Sequence, residues 1–374
     1  MKVFFNKIYF LLYSVLNVLY LNLIIFYKKI CLQKKIIFFY HPKPELTKIH
    51  SYYIEDIFSK LEEFETFYGT KIIFSNKNYF FIKSLLVKYI YGVDIFISNN
   101  ICDYFTKNSV RVYIHHDIYD TPLVKNSKIK ELSARLRQYD HIFLPSKKFF
   151  KLFYNIFEKN IKKPELHEIG YMKLNYFRKI IKIKKNNSIN KIILAPTNFD
   201  AFPTYSLQKY VFKILDILLK NKISVIYRPH PSNRNHYKIL NIISYFNKNK
   251  LFKYDKSENY IREYLSSSIM ITDISGTAYT YAFLTENPVI FFSPNDINLV
   301  KDKYAELNYI KDRSKVGVVL KDLKGLIRVI KIIKSKKMTY KNNILKLKSN
   351  FFNFKNPRIA LQNKFNNIID SGVN

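Results

Sequence analysis

Ser224 to Tyr237 reads SVIYRPHPSNRNHY, and Arg228 and His230 are the residues in it able to do chemistry. Pro229 and Pro231 lack backbone donors and stiffen the exit from an apolar strand. Such a strand end can hold a guanidinium and an imidazole at fixed angles over a cleft, as a phosphate site requires. The competing reading is a proline-rich turn with two exposed cations. A second stretch, Ile269 to Phe292, reads IMITDISGTAYTYAFLTENPVIFF: strand, polar turn, helix, Asn-Pro stop, strand. Ser275 and Thr277 are good capping residues and Gly276 admits close approach of a ligand. The turn therefore aims N–H groups outward from a helix start, a terminus that attracts phosphate. Ordinary capping by either hydroxyl, with Asp273 closing the strand, is the alternative. Taken together, the two stretches are spaced as neighbouring strand ends of one α/β sheet. Their shared rim would gather a cation, an imidazole and a helix N-terminus around a pyrophosphate.

The elements that must position these residues follow from short apolar runs alternating with amphipathic ones. Strands are expected at KIIFFYH from Lys35, KIIFS from Lys71, VDIFIS from Val93, VRVYIHH from Val110 and DHIFLPS from Asp140. Helical stretches separate them, among them Ile54 to Tyr68 and Lys128 to Tyr139. The lysine-rich KIIKIKKNNSINK, from Lys179 to Lys191, reads as a linker. A second series then runs through IILAPT from Ile192, a helix over Tyr205–Leu219, ISVIYRPHP, a helix over Tyr237–Asn247, IMITDIS and PVIFFSP. Two such series predict two α/β domains with parallel sheets that bind ligand at the carboxyl ends of their strands. The cleft between them is the expected active site. The domain boundaries read as 1–33 for a hydrophobic anchor helix, 34–185 and 186–326 for the two Rossmann-like domains, and 327–374 for a basic helical segment. That last segment carries eleven Lys/Arg and one Asp, either as a solvated face or as a contact to anionic lipid.

The chain has 374 residues, enough for two cores, with 63 Lys+Arg against 28 Asp+Glu and a formal charge of +35. Such a balance draws a protein to polyanions of any kind, and part of it is a compositional background shared with abundant Asn, Ile, Phe and Tyr. Cys31 and Cys102 form no CxxC or Cys/His cluster, and the eight histidines show no HExxH spacing. With seven glycines and neither GxGxxG nor a Walker loop, nicotinamide dehydrogenase and P-loop NTPase are poor fits. Ile8 to Phe26 is 19 residues without a charge, flanked by lysines on both sides. This approaches the length of a membrane span, although Ser14, Asn17 and Asn22 interrupt it. It is expected to be an uncleaved anchor, spanning or lying in the interface, with the basic bulk of the chain on the cytoplasmic face of the cell membrane. The alternative is a buried N-terminal helix of the fold.

Arg228-Pro-His-Pro, then Thr272-Asp-Ile-Ser-Gly-Thr, then Asn287-Pro-Val-Ile-Phe-Phe resembles the CDP-glycerol glycerophosphotransferase family, the teichoic-acid-type polymerases and primases. ILAPTNFD from Ile193 to Asp200 is similar to that family's Ala-Pro-Thr segment, and EIGYMKLNYF from Glu168 to Phe177 to the segment that ends its first domain. The likeness covers roughly Val110 to Phe292. It implies a GT-B-like fold of two facing Rossmann-like domains with parallel sheets. The family's His-Gly pair, whose histidine is the base, falls here on His116-Asp117, with His115 directly before it. Strand alternation turns adjacent histidines to opposite sides, and His116 is the preferred base. Ser275-Gly276 replaces two serines, Met172 replaces a proline and Asn175 an aspartate, which leaves the polyol open.

The resemblance implies transfer of a polyol phosphate from a CDP-activated donor to a hydroxyl of a polyol-phosphate or glycan acceptor, lipid-linked or on the cell surface, with release of CMP. In-line displacement at phosphorus is served by positioning and charge stabilisation. His116 would take the acceptor proton, an imidazole being suited to this near neutral pH. Arg228 and His230 would neutralise the phosphate oxygens and the departing CMP. Ser275, Gly276 and Thr277, with Pro196, Thr197 and Ser232, would hold the donor, and Asp273 would orient one of these groups. No metal or other cofactor is expected, and no nucleic-acid partner, because the aromatics sit in apolar runs. A GT-B glycosyltransferase using a nucleotide sugar and a non-catalytic basic membrane protein remain alternatives.

Overall fold

The computed structural model describes residues 2–43, 53–73, 78–119, 129–157, 163–173, 176–177, 191–301, 307–351 and 357–371. The chain divides into two compact units, one of Met1–His116, Ser127–Met172 and Phe354–Asn374, the other of Asp117–Asn126 and Lys173–Asn353. Asn175 and nearly all of the expected linker lie outside the described residues.

The first unit is built on a parallel sheet of β1 (Lys35–His41), β2 (Phe64–Thr70), β3 (Tyr79–Phe81), β4 (Ile95–Ser98), β5 (Val110–Ile114), β6 (His141–Leu144) and β7 (Glu165–Glu168), in the order β3-β2-β1-β4-β5-β6-β7. β1 is an interior strand, flanked by β2 and β4, with Ile36 to Tyr40 fully buried, as a continuous apolar run in a two-sided parallel sheet must be. The helix expected over Ile54 to Tyr68 is a helix only over 53–58. From Phe64 onward the chain is β2, paired along all seven residues of β1. Gly69 decides the close fit: a Cβ there would lie 2.4 Å from the Phe38 ring. The strand expected from Lys71 is displaced by this pairing; residues 71–73 leave the sheet in a bend and the rest of that stretch is outside the described residues.

The N-terminal helix α1 (Lys2–Leu32) answers to both alternatives raised by its sequence, one on each face. Val18, Leu21 and Ile25 are buried against the first unit, and Ser14 Oγ accepts the Lys83 N–H at 2.8 Å. Asn17 Nδ2 donates to the Phe81 carbonyl at 3.1 Å and Asn22 Nδ2 to that of Tyr89 at 2.9 Å, while Lys29 pairs with Asp94 at 2.7 Å. Leu12, Leu16, Leu19, Leu23, Phe26 and Ile30, at alternating spacings of three and four, form the opposite, exposed stripe. The polar residues that interrupt the apolar run are thus the docking contacts.

The second unit holds β8 (Lys191–Leu194), β9 (Ser224–Tyr227), β10 (Phe252–Tyr254), β11 (Ile269–Thr272), β12 (Val289–Phe292) and β13 (Gly317–Leu320), all parallel, in the order β10-β9-β8-β11-β12-β13. This is the doubly wound order, whose switch point lies between its first and fourth strands, here β8 and β11. Helices Val211–Lys220, Tyr237–Phe246 and Leu326–Ser335 bury Leu215, Leu218, Ile239, Ile330 and Ile333 in one core with β8 and β9. The helix Thr277–Thr285 is buried from Ala278 to Leu284, as an all-round apolar helix must be. The basic C-terminal segment is packed as well: Ile344 and Leu347 are buried in the second unit, and Phe365, on the helix Pro357–Ser371, is buried in the first against Phe58, Phe64 and Phe143.

Candidate active site

The carboxyl ends of β8, β9 and β11 carry every donor-side residue singled out in the sequence. The stretches after β9 and β11 are not adjacent, as their spacing suggested. β8 lies between them, pairing with β9 on one side and β11 on the other, because a doubly wound sheet starts at its centre and grows outward. The loop Ala195–Thr197 is therefore the middle of the rim.

Asp273 is the brace across the switch point. It is buried, and its carboxylate accepts the Thr197 N–H at 3.1 and 3.2 Å and the Leu207 N–H at 2.8 Å. Burial pushes its pKa up to about 7, against the opposing pull of the Leu207 and Thr197 donors. It orients the loop that contains Pro196 and Thr197, themselves buried. The turn after it is held from the other side by Tyr309, whose hydroxyl donates to the carbonyls of Asp273 at 3.0 Å and Ser275 at 3.2 Å.

Ser275, Gly276 and Thr277 are half-buried at the start of the helix Thr277–Thr285, and neither hydroxyl caps it. Thr277 Oγ1 is hydrogen-bonded to the Tyr264 hydroxyl instead. Capping thus does not account for these residue types. Gly276 has an ordinary right-handed backbone (φ −57°, ψ −20°), so its conformation does not demand glycine.

Arg228 follows β9 with its backbone still in the ladder, its N–H on the Leu194 carbonyl at 2.9 Å. Its guanidinium is buried in an ion pair with Asp255, donates to Ser257 Oγ at 3.2 Å and stacks over Tyr260 at 5.5 Å. Burial alone would raise the Asp255 carboxyl, but the Arg228 charge and the Ser257 donors outweigh it and hold the pKa below the ordinary range. Nη1 makes both hydrogen bonds, and no hydrogen bond among the described residues engages Nε or Nη2. Arg228 is thus no exposed turn cation. His230 is half-buried, and its Nδ1 accepts the Ser232 N–H at 3.2 Å, which leaves Nε2 to carry the proton of the neutral ring. Ser232 is exposed on the short turn Pro231–Asn233.

Three supporting residues escaped the sequence reading. Asn233 is buried, accepts the Phe199 N–H at 3.2 Å and donates to Asp200 at 2.6 Å, tying the β9 loop to the β8 loop. Arg234 donates to the carbonyls of Lys256 at 3.0 Å and Ser257 at 3.2 Å, placing a second guanidinium beside Arg228. Tyr309 is the third. Asn233 and Arg234 stand just after the Arg228–Ser232 run and Tyr309 lies far from it, but each acts through a partner distant in sequence. In this unit the described residues bring no three His, Cys, Asp or Glu donors together as a metal would need.

In the first unit His115 and His116 follow the end of β5. His115 is buried, with its N–H on the Phe143 carbonyl at 2.9 Å and its Nδ1 3.4 Å from the Tyr113 hydroxyl, while His116 is half-buried. Both lie beyond the last residue of β5. The switch point of this sheet adds His41, at the end of β1, and Asn99 and Asn100, after β4, all buried. Burial lowers the pKa of His41 to about 3.

Two doubly wound parallel-sheet units, each with polar side chains at the carboxyl ends of its strands, define an α/β protein of the GT-B class. Solved structures agree on the fold. The wall teichoic acid polymerase TagF matches with a TM-score of 0.60 at 15% identity, over 91% of this chain and 90% of that one. The S. aureus MnaA–UDP structure gives 0.59 at 10% identity over 90% and 97%. The UDP-GlcNAc 2-epimerase of Methanocaldococcus jannaschii gives 0.54 at 12% over 84% and 99%. No curated protein matches the sequence significantly. The model of the CDP-glycerol:poly(glycerophosphate) glycerophosphotransferase family matches residues 98–363, and the chain belongs to that family.

Proposed function

We propose that the protein transfers a polyol phosphate from a CDP-linked donor to a hydroxyl of a lipid-linked or cell-surface glycan acceptor, releasing CMP. The observation that carries this reading is the switch-point rim of the second sheet. Its three consecutive loops gather the Arg228–His230 pair and an uncapped helix start, while Asp273 and Asn233 fix the loop between them. The acceptor oxygen attacks the phosphorus of the polyol phosphate, the bond to CMP breaks, and His116 removes the acceptor proton. Arg228 and His230 offset charge on the phosphate and on departing CMP, and the N–H groups at Ser275–Thr277 receive the pyrophosphate. The exposed stripe of α1 lies in the acyl boundary of the cytoplasmic membrane face, and its docked face keeps the helix in the membrane plane.

The test is incubation with CDP-glycerol, CDP-ribitol and a panel of nucleotide sugars. CMP release from a CDP-polyol in the presence of acceptor is expected; a nucleoside diphosphate released from a sugar nucleotide would replace the reading with glycosyl transfer. His230→Ala should lower turnover by about 100-fold or more. His116→Ala should slow single-turnover transfer by roughly 100- to 10,000-fold with donor affinity unchanged. Near-normal rates in both variants would remove these histidines from the mechanism. His230 is a cleaner probe than Arg228, because Arg228→Ala also leaves Asp255 buried without its partner.

A further inference from the structure

The first sheet brings together three residues that the sequence shows as unrelated. Parallel pairing of β6 and β7 sets His141 opposite Glu165 and Phe143 opposite His167. Glu165 and His167, two apart on β7, share a face, and His141 joins them from β6. His141 Nδ1 lies 2.9 Å from His167 Nε2 and 3.5 Å from Glu165 Oε2, and His167 Nε2 lies 3.6 Å from Glu165 Oε1. One donor atom from each residue fits within 4.8 Å of both others. The edge of a zinc tetrahedron with bonds of 2.0–2.1 Å is about 3.4 Å; the 3.5 and 3.6 Å distances end on different carboxylate oxygens, so closing one face of such a site asks the exposed Glu165 side chain to bring a single oxygen toward both imidazoles.

We propose that His141, Glu165 and His167 bind one divalent transition metal of the zinc class. The donor set, two imidazoles and a carboxylate, suits zinc over magnesium or calcium, which prefer oxygen throughout. Three protein ligands leave a fourth position for solvent. The imidazoles are largely enclosed, whereas the Glu165 side chain is 65% exposed and gives the ion a way in. Phe143 packs edge-on against His167 at 5.1 Å and fixes the plane of its ring. Lys364, on the helix Pro357–Ser371, adds positive charge near His167, which the Glu165 carboxylate offsets. The site lies at the amino ends of its strands, the opposite end of the sheet from His115 and His116. Its effect is to fasten the edge strand β7 to β6, a role independent of transfer chemistry.

The experiment uses the full chain, stripped with chelator and titrated with Zn²⁺ by calorimetry and with Co²⁺ by visible absorption. One equivalent should bind, with the intense ligand-field bands of low-coordinate cobalt and a rise in melting temperature. Glu165→Gln, at an exposed position, should fold normally. It and His167→Ala should each weaken Zn²⁺ binding by at least the roughly 10- to 100-fold that loss of an outer-shell partner already costs. His230→Ala should bind as the parent does. Absence of stoichiometric binding, equal binding by the Glu165→Gln chain, or loss of binding in His230→Ala would each overturn the proposal.

Discussion

Asp273 joins two loops through one carboxylate, and its burial makes that junction sensitive to pH. Its pKa in the fold, about 7, lies above the ordinary value near 3.9. The unfolded chain therefore releases this proton first as pH rises. The contribution is fully present below about pH 4 and is lost as pH rises through about 7, at up to about 1.4 kcal/mol per pH unit. Asp273→Asn cannot ionise, so the stability of the parent relative to this variant should fall between pH 4 and 7. Urea denaturation of both proteins across that range checks it; a constant difference would mean that the Thr197 and Leu207 N–H bonds hold the carboxylate charged throughout. The placement of candidate residues at strand ends was legible where reactive types stood beside prolines or glycine, as in Arg228-Pro-His-Pro and Ser275-Gly-Thr. It was illegible where a residue works through a remote partner. Asp255 lies 27 residues from Arg228, and Tyr309 36 residues from Asp273, separations that only strand order closes.

Among the elements, α1 offers the sharpest separation of roles, since its two stripes belong to different solvents. Replacing Leu16 and Leu23 by lysine on the exposed stripe removes about 3 kcal/mol or more of apolar transfer. Binding to anionic vesicles should fall on the order of 100-fold while the melting temperature holds. Leu21→Ala, on the buried stripe, should instead cost about 2–5 kcal/mol of stability and leave vesicle binding by the folded protein intact. Co-sedimentation and thermal melts on the same samples distinguish them, and equal effects of both on vesicle binding would mean that the stripes are not separate. The sequence showed the helix but not its two faces, because Ser14, Asn17 and Asn22 looked like flaws in a span. It misplaced β2 for a related reason: Ile54, Phe58 and Leu61 keep a helical spacing that runs into Phe64, and only pairing with β1 ends it. Strands β3, β7, β10 and β13 went unseen because the two ladders end on them, and an edge strand need not carry a long apolar run.

For the whole molecule, the alternation of strands and helices was enough to give two parallel sheets, and the residues singled out after β8, β9 and β11 fell on the rim of one of them. What alternation does not contain is order, which placed β8 between two loops that had seemed adjacent, and it does not contain return of the chain. The helix Pro357–Ser371 belongs to the first unit although the whole second unit precedes it. Phe365→Ala empties a seat lined by Phe58, Phe64 and Phe143, and should destabilise by about 3–5 kcal/mol. Pulsed proteolysis should show cleavage rising first within the first unit's segments; uniform cleavage would mean that the two units unfold together. That return also fixes an order of events during synthesis. Phe143 is made 222 residues before Phe365, roughly 10–45 s at elongation rates of about 5–20 residues per second. Throughout that interval the amino-terminal half carries an open aromatic pocket. The half that begins first is the one completed last, closed by a helix that reaches it only after the second sheet has been translated.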